Sequence, residues 1–109
     1  MNTLLYISRS TLPQARGPSE VEEIVRLAQA RNQSIEVTGA LVYSGAHFAQ
    51  ILEGPAAQLS DLMRSINLDV RHKDVTIVKS GPVGKRKFAS WHLAYSGQST
   101  FVDRNIRSI

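Results

Sequence analysis

Two segments with helical periodicity, each set between stretches typical of strands, constrain the fold of this chain more than any other feature. The first helix is predicted from the capping box Ser19-Glu20-Val21-Glu22 to about Asn32, because apolar residues recur there at the 3.6-residue period. The second is predicted over residues 55–68, where the same period returns and Pro55 suits the first turn of a helix.

Five short β-prone stretches complete the pattern, and Ser44-Gly45-Ala46 is typical of a hairpin loop between two of them. The predicted strands are residues 3–8, 37–43, 47–53, 74–80 and 90–95. The resulting order β-α-β-β-α-β-β favours a ferredoxin-like α+β fold with both helices on one face of a five-stranded mixed sheet. We expect one domain over residues 1–97 and a tail over residues 98–109 that begins a helix or is truncated.

Composition excludes several classes of protein. The chain has no cysteine, so disulfides, zinc thiolates and cysteine nucleophiles are ruled out. It has neither an apolar run of transmembrane length nor the features of a signal peptide, and a cytoplasmic protein is the simplest interpretation. The net charge of +4 permits a nucleic acid or an anionic cofactor as partner. The short basic clusters at 71–73 and 85–87 are interpreted as solvated surface.

Alternation along the strands makes both faces of the predicted sheet apolar. Leu5 and Ile7 share one face of the first strand, and Ala49 and Ile51 share one face of the third. The opposite faces of these strands are also largely apolar. Because two helices cover only one face, we expect a C-terminal helix pair or a second subunit on the other. This predicts a homodimer or a domain cut from a longer protein.

Three polar residues stand out in this apolar setting: Tyr6 and Gln50 in mid-strand, and Asn32 at the end of the first helix. A buried amide without a partner costs about 1–3 kcal/mol, so Gln50 needs one. Each residue alone has an ordinary structural explanation. Together, with two helices facing the same sheet, they suggest a planar ligand with a polar edge held in an apolar slot.

Several motifs at matching spacings make the sequence similar to a known family. They are Leu5-Tyr6-Ile7-Ser8, Asn32, Val37-Thr38-Gly39-Ala40-Leu41-Val42-Tyr43, His47-Phe48-Ala49-Gln50-Ile51-Leu52-Glu53-Gly54-Pro55, Asp69-Val70-Arg71-His72 and Phe88-Ala89-Ser90-Trp91. In this combination they resemble the BLUF domain, a blue-light sensor using FAD, over nearly all of residues 2–96.

The resemblance implies that a noncovalent flavin lies between the two helices, on the sheet face that carries Tyr6 and Gln50. It implies that Asn32 bonds the carbonyl and imide edge of the ring. The other implied contacts are Ser8 near N5, Arg31 beside the ring, and Asp69, Arg71 and His72 near the ribityl and phosphate end. Assigned to the apolar slot by face alone are Ile24, Leu27, Ala28, Phe48, Leu52, Leu62 and Ile66. FAD is the implied cofactor, with FMN and riboflavin as alternatives, and no metal is expected.

The same resemblance implies a mechanism without enzymatic activity in this domain. Light drives electron and proton transfer from Tyr6, and Gln50 is left rotated or tautomerised, with absorption shifted to the red. Trp91 matches the tryptophan of the fifth strand. Leu93 stands where the family often has methionine. Both are implied to relay the change to the opposite sheet face and so to a second subunit or a downstream effector.

Two other functions are alternatives at the level of the sequence. A basic ferredoxin-like module that binds nucleic acid agrees with the fold and the charge, but it calls for exposed aromatic residues on the sheet with Arg or Lys between them. A hydrolase would need a nucleophile with a base, a metal cluster or a phosphate loop, and the sequence offers none of these. At single positions, His72 can be a solvated surface residue, Trp91 plain core, and Arg71-His72 a pair opposing a helix dipole.

Overall fold

The computed structural model describes residues 1–13 and 17–95, without the side chain of Pro18. Its elements are β1 (Asn2–Ser10), α1 (Gly17–Ser34), β2 (Thr38–Tyr43), β3 (His47–Gly54), α2 (Ala56–Leu68), β4 (His72–Pro82) and β5 (Ala94–Tyr95). The predicted element order and the α+β class are confirmed. The tail over residues 98–109, with its predicted helix start, lies outside the described residues, and the domain limits stay a prediction.

The five strands form one sheet in the order β4-β1-β3-β2-β5. Neighbours are antiparallel except β2 and β5, which run parallel. The register sets Tyr6 of β1 and Leu41 of β2 on either side of Gln50 in β3. Residues directly opposite one another share a face, so these three side chains form one row across the middle of the sheet.

The hydrophobic core is divided into two clusters on the helix-covered face. One lies under α2 and contains Leu4, Tyr6, Val37, Leu52, Leu59, Leu62, Met63 and Ile66. The other lies under α1 and contains Val21, Val25, Ala28, Leu41, Tyr43, Phe48 and Leu93. The row of Tyr6, Gln50 and Leu41 crosses the boundary between them, which is where a ligand slot between the helices would form.

Several element boundaries differ from the sequence prediction by two or more residues, and those of α1 and β5 change an interpretation. Helix α1 begins at Gly17, so Ser19 lies inside its first turn. The prediction that Ser19 is the N-cap is therefore wrong. Proline is common in a first turn, which explains how Pro18 fits there. The fifth strand is only Ala94–Tyr95, not residues 90–95.

Backbone carbonyls of the segment before β5 accept hydrogen bonds mainly from side chains of α1, so they do not pair with β2 and the strand is short. The carbonyls of His92 and Leu93 accept from side-chain amides of α1, and only the carbonyl of Trp91 accepts from β2, at Gly39 N–H. Outside the strand, the Trp91 side chain is 58% exposed, so plain core is the wrong interpretation of this tryptophan.

The second face of the sheet carries half-buried apolar residues, among them Leu5, Ile7, Val42 and Ile51. Both described helices pack on the face that holds Tyr6 and Gln50. Neither of these helices has the length and apolar character needed to span a membrane.

Candidate functional site

A slot opens between α1 and α2 above the row of Tyr6, Gln50 and Leu41. It holds a cavity of about 70 Å³ that is partly open to solvent. Its walls are Tyr6, Ile24, Ala28, Arg31, Leu41, Phe48, Gln50, Ile66, Asp69, Arg71, His72 and Leu93. Apolar and polar groups share its lining about equally, and charged groups include Asp69 and Arg71, which follow the end of α2.

A short hydrogen bond joins the two central polar residues. The Tyr6 hydroxyl donates to Gln50 Oε1 at 2.6 Å, and both side chains are buried. Burial raises the pKa of the Tyr6 phenol well above its ordinary value; the nearby Asp69 carboxylate raises this pKa further, and the Arg31 charge opposes the shift. Tyr6 is therefore a neutral donor at physiological pH. It can release its proton readily only if it loses an electron as well.

The amide of Gln50 has one group left for a ligand. Its Oε1 is taken by Tyr6, and among the described residues no acceptor bonds its Nε2. No fully buried side-chain nitrogen or oxygen in this part of the chain lacks a partner, so Nε2 reaches the open space of the slot. A planar ring with an acceptor at its edge and apolar faces suits this arrangement, and an isoalloxazine ring has these properties.

The mouth of the slot carries two guanidinium groups and one carboxylate. Arg71 donates to Asp69 from Nε at 2.8 Å and from its backbone N–H at 3.0 Å. These hydrogen bonds lower the pKa of Asp69 and raise that of Arg71, so the pair stays ionised. Among the described residues, Arg31 donates only to the neutral Asn32 Oδ1, at 3.1 and 3.3 Å. Burial lowers the pKa of Arg31, but guanidinium remains charged, and the mouth keeps one positive charge in excess.

His72 forms part of one wall of the slot, and its hydrogen bonds determine which ring nitrogen carries the proton when the ring is neutral. Its Nε2 lies 2.6 Å from the carbonyl oxygen of Ile66, so Nε2 must donate. Its Nδ1 lies 2.7 Å from Ser8 Oγ and accepts from that hydroxyl when the ring is neutral. The ring stands edge-on to Tyr6, with 6.1 Å between centroids. His72 thus ties the end of α2 to β1, which is not the behaviour of a solvated surface histidine.

Most of the residues predicted for the site line the slot. They are Tyr6, Ile24, Ala28, Arg31, Phe48, Gln50, Ile66, Asp69, Arg71 and His72. Ser8 contributes through His72. Leu52 and Leu62 lie in the cluster under α2, and Leu27 is 52% exposed on α1, so these three do not line the slot. Face alone assigned them, and a helix or strand face is wider than the gap between two helices.

Asn32 is placed beside the slot, not on its wall. It is fully buried, its Nδ2 donates to the His92 carbonyl at 2.7 Å, and its Oδ1 accepts from Arg31. Contact between Asn32 and a ring edge stays a prediction. Of the two predicted relay residues, Leu93 is buried and lines the slot, whereas Trp91 is exposed outside it.

Leu41 is a wall residue that the sequence analysis missed. It lies directly opposite Gln50, on the same face. The predicted three-residue hairpin loop over residues 44–46 would pair Tyr43 with His47 and Leu41 with Ala49. The structure pairs Tyr43 with Phe48 and Leu41 with Gln50, a register shifted by one residue that the loop prediction could not supply.

Comparison with known proteins gives a consistent result. Residues 1–94 match the model of the family described as BLUF, sensors of blue-light using FAD. The photoactivated adenylate cyclase subunit beta of Euglena gracilis is 36% identical over 93 residues, which are 85% of this chain and 11% of that protein. The chain therefore spans about a tenth of that relative's length.

Two solved structures show the same likeness. BlrB, a BLUF protein in its dark state, has a TM-score of 0.81 and 33% identity, over 86% of this chain and 70% of that one. Klebsiella pneumoniae BlrP1 with FMN and cyclic diGMP has a TM-score of 0.79 and 29% identity, over 87% of this chain and 25% of that one.

Proposed function

Because the chain belongs to the BLUF family of sensors of blue light using FAD, we propose that Tyr6 and Gln50 are its photoactive pair and that a flavin ring occupies the slot between α1 and α2. The observation that carries the proposal is the 2.6 Å hydrogen bond from the Tyr6 hydroxyl to Gln50 Oε1 within that slot. BLUF domains are photosensory modules, and the enzymatic activity of relatives such as the adenylate cyclase lies in separate effector domains.

A bound flavin supplies absorption of blue light and, when excited, the capacity to accept an electron. Tyr6 provides the electron and its phenolic proton together, because burial raises the pKa of the phenol and opposes loss of the proton without the electron. Gln50 conducts this proton, since its Oε1 holds the Tyr6 hydroxyl and its Nε2 faces the slot. When the electron and proton return, the Gln50 amide is left rotated or tautomerised, and its two arrangements form the bistable element.

The apolar walls protect this pair. Phe48, Leu41 and Ile24 exclude water from the ring position, which strengthens hydrogen bonds at the polar edge and keeps competing proton donors away. The half-buried Asp69–Arg71 pair and Arg31 lie at the mouth, where a ribityl chain and phosphates would leave the slot.

We propose FAD as the physiological flavin, with FMN and riboflavin also able to fill the ring site. The residues around Tyr6 and Gln50 grip only the ring, which all three share. Binding of FMN by the related BlrP1 agrees with this tolerance. Arg31 is the group that distinguishes phosphorylated flavins from riboflavin, because Asp69 and Arg71 neutralise one another.

Substituting Arg31 with glutamine should weaken FMN binding about tenfold, the effect of about 1.4 kcal/mol, while changing riboflavin affinity by less than about twofold. Fluorescence titration of the flavin-free protein with each ligand measures both affinities. Arg64→Gln, on the exposed surface of α2 in a pair with Asp61, is the matched control and should leave both affinities unchanged. Equal losses for FMN and riboflavin in the Arg31 variant would contradict the assignment.

Output from the domain is proposed to pass through Leu93 and Trp91 to a second subunit or an effector protein in the cytoplasm. Leu93 lines the slot and Trp91, two residues away, is exposed, so the two residues join the interior to the surface. The half-buried apolar face with Leu5 and Ile7 is the proposed contact surface. A nucleic-acid partner is disfavoured, because helices cover the sheet face on which bases would stack.

The absorption spectrum of the purified protein, before and after blue light, tests the proposed function. We expect a flavin spectrum in the dark, a modest red shift on illumination, and recovery in the dark. A protein that cannot be loaded with flavin, or one whose flavin spectrum never shifts, would overturn the proposal. Salt-dependent binding of nucleic acid by colourless protein would favour the alternative module.

A further inference from the structure

We propose that Glu53 is a positioning residue for the photocycle, whose buried carboxylate fixes residues 86–88 to β3 and thereby keeps Leu93 seated against the slot. This inference rests on the proposed function, since it concerns the rate of a cycle carried by Tyr6 and Gln50. Glu53 does not line the slot, and neither the motifs nor the mechanism above gives it a task.

Both oxygens of the Glu53 carboxylate accept hydrogen bonds from the segment between β4 and β5, and one of them also accepts from β2. Its side chain is 1% exposed. Oε2 accepts from the backbone N–H of Lys87 at 2.6 Å, and Oε1 accepts from the backbone N–H of Phe88 at 2.9 Å and from the Thr38 hydroxyl at 3.1 Å. Hydrogen bonds to an ionised acceptor are stronger than neutral ones, so this is a firm attachment of an otherwise irregular segment.

Arg86 compensates the buried charge without touching the carboxylate directly. Its Nη1 donates to Thr38 Oγ1 at 2.8 Å and to the Glu53 carbonyl at 3.0 Å, and its Nη2 donates to the Glu36 carbonyl at 2.7 Å. The Thr38 hydroxyl therefore accepts from Arg86 while it donates to Glu53. A buried charge needs such compensation, and here the compensating group comes from the same segment that the carboxylate holds.

The attached segment ends at the slot. Five residues after Phe88, Leu93 is 2% exposed and lines the ligand position. Its carbonyl accepts from Gln29 of α1, and the carbonyl of Trp91 accepts from Gly39 of β2. The segment is thus held at one end by Glu53 and at the other by α1 and β2. Removing the Glu53 carboxylate takes away the hydrogen bonds to Lys87 and Phe88 and leaves that end of the segment with those of the Arg86 side chain.

Glu53 also lies on the strand that carries the photoactive amide. It is three residues beyond Gln50, about 10 Å along β3 at the usual rise per residue, and its side chain lies on the other face of the sheet. A backbone shift of β3 caused by rearrangement of Gln50 therefore reaches Glu53 and, through its hydrogen bonds, residues 87 and 88. A looser segment would admit water to the Tyr6–Gln50 pair and speed the return to the dark state.

The test is Glu53→Gln, which keeps the side-chain shape but sets an amide N–H₂ against one of two backbone donors. Asp61→Asn removes the same charge from an exposed side chain of α2 and is the matched control. For both variants and the wild type we would measure the dark spectrum, the red shift, the dark-recovery rate, and amide hydrogen exchange at Lys87 and Phe88.

We expect E53Q to bind flavin and shift to the red, but to recover about tenfold faster than the wild type, with faster exchange at Lys87 and Phe88; D61N should match the wild type. Recovery of E53Q within about twofold of the wild type would overturn the inference, whether or not exchange is faster. If E53Q does not fold, Thr38→Val removes only the linking hydroxyl, and about threefold faster recovery is then required. A wild type without any red shift would instead overturn the proposed function.

Discussion

Replacing Tyr6 with phenylalanine is expected to abolish the light-induced red shift and leave a flavin protein that is yellow and photochemically silent. The phenyl ring still fills the space between β1 and α2, so the slot keeps its shape. The lost hydroxyl is the donor to Gln50 Oε1 and the only proposed source of electron and proton in the slot. Loss of one buried hydrogen bond costs about 1–2 kcal/mol of stability, which a folded domain of this size tolerates.

Dark and light difference spectra of flavin-loaded Tyr6→Phe measure this effect. Tyr43→Phe is the matched control, because Tyr43 is also a buried tyrosine on the sheet but does not line the slot. Its hydroxyl lies 3.5 Å from the Gly45 carbonyl, at the limit of a hydrogen bond. The control should keep the full red shift. A red shift of wild-type size in the Tyr6 variant would show that another group supplies the electron.

Substituting Gly39 with alanine should prevent stable folding, although the change adds only one methyl group. A Cβ at this position would collide with the carbonyl oxygen of Ile51 and would lie 3.2 Å from Leu52 Cα. Both neighbours are backbone atoms of the paired strand β3, so no side chain can move aside. The strands β2 and β3 would have to separate beside Gln50, where the Gly39 N–H also holds the Trp91 carbonyl.

We expect a loss of at least about 3 kcal/mol in the free energy of unfolding, since overpacking against backbone exceeds ordinary core strain. For a domain of this size that lowers the Tm by about 12 °C or more, measurable by circular dichroism. Gly84→Ala is the matched control, because a Cβ at Gly84 meets no atom within 4 Å. It should shift stability by less than about 0.5 kcal/mol. A stable Gly39 variant would refute the close approach of the two strands.

Local patterns predicted most of this fold because the periodicities of its elements are clear. Alternation along β1 and β3 placed Tyr6 and Gln50 each on a face of its own strand, and the resemblance implied that both lie on the flavin face. The register sets them directly opposite each other. The short β5 could not be predicted in the same way. Its preceding residues have strand character, but Asn32 and Gln29 of α1 take their carbonyls, and that competition depends on tertiary contacts.

The roles predicted for the candidate site stay predictions, and the structure shows only which of its residues line the slot. Residues named through motifs, such as Arg31 and His72, line the slot. Leu27 and Leu52 were assigned by periodicity, which identifies the apolar side of an element but not which part of that side the opposite helix covers. The network of Glu53 escaped prediction because two of its three donors are backbone N–H groups, which leave no trace in a sequence.

The divided core has a mechanical consequence for a sensor. Its two halves face each other across the slot, with Tyr6 and Ile66 on one side and Phe48, Leu41 and Ala28 on the other. A planar molecule bound there becomes the shared interior of the whole domain and is in van der Waals contact with both halves. A rearrangement of one amide at its edge would therefore change the packing of both helices against the ligand at the same time. Such a domain can turn the absorption of a single photon into a change of internal packing without a hinge, a lid or a covalent bond to its ligand.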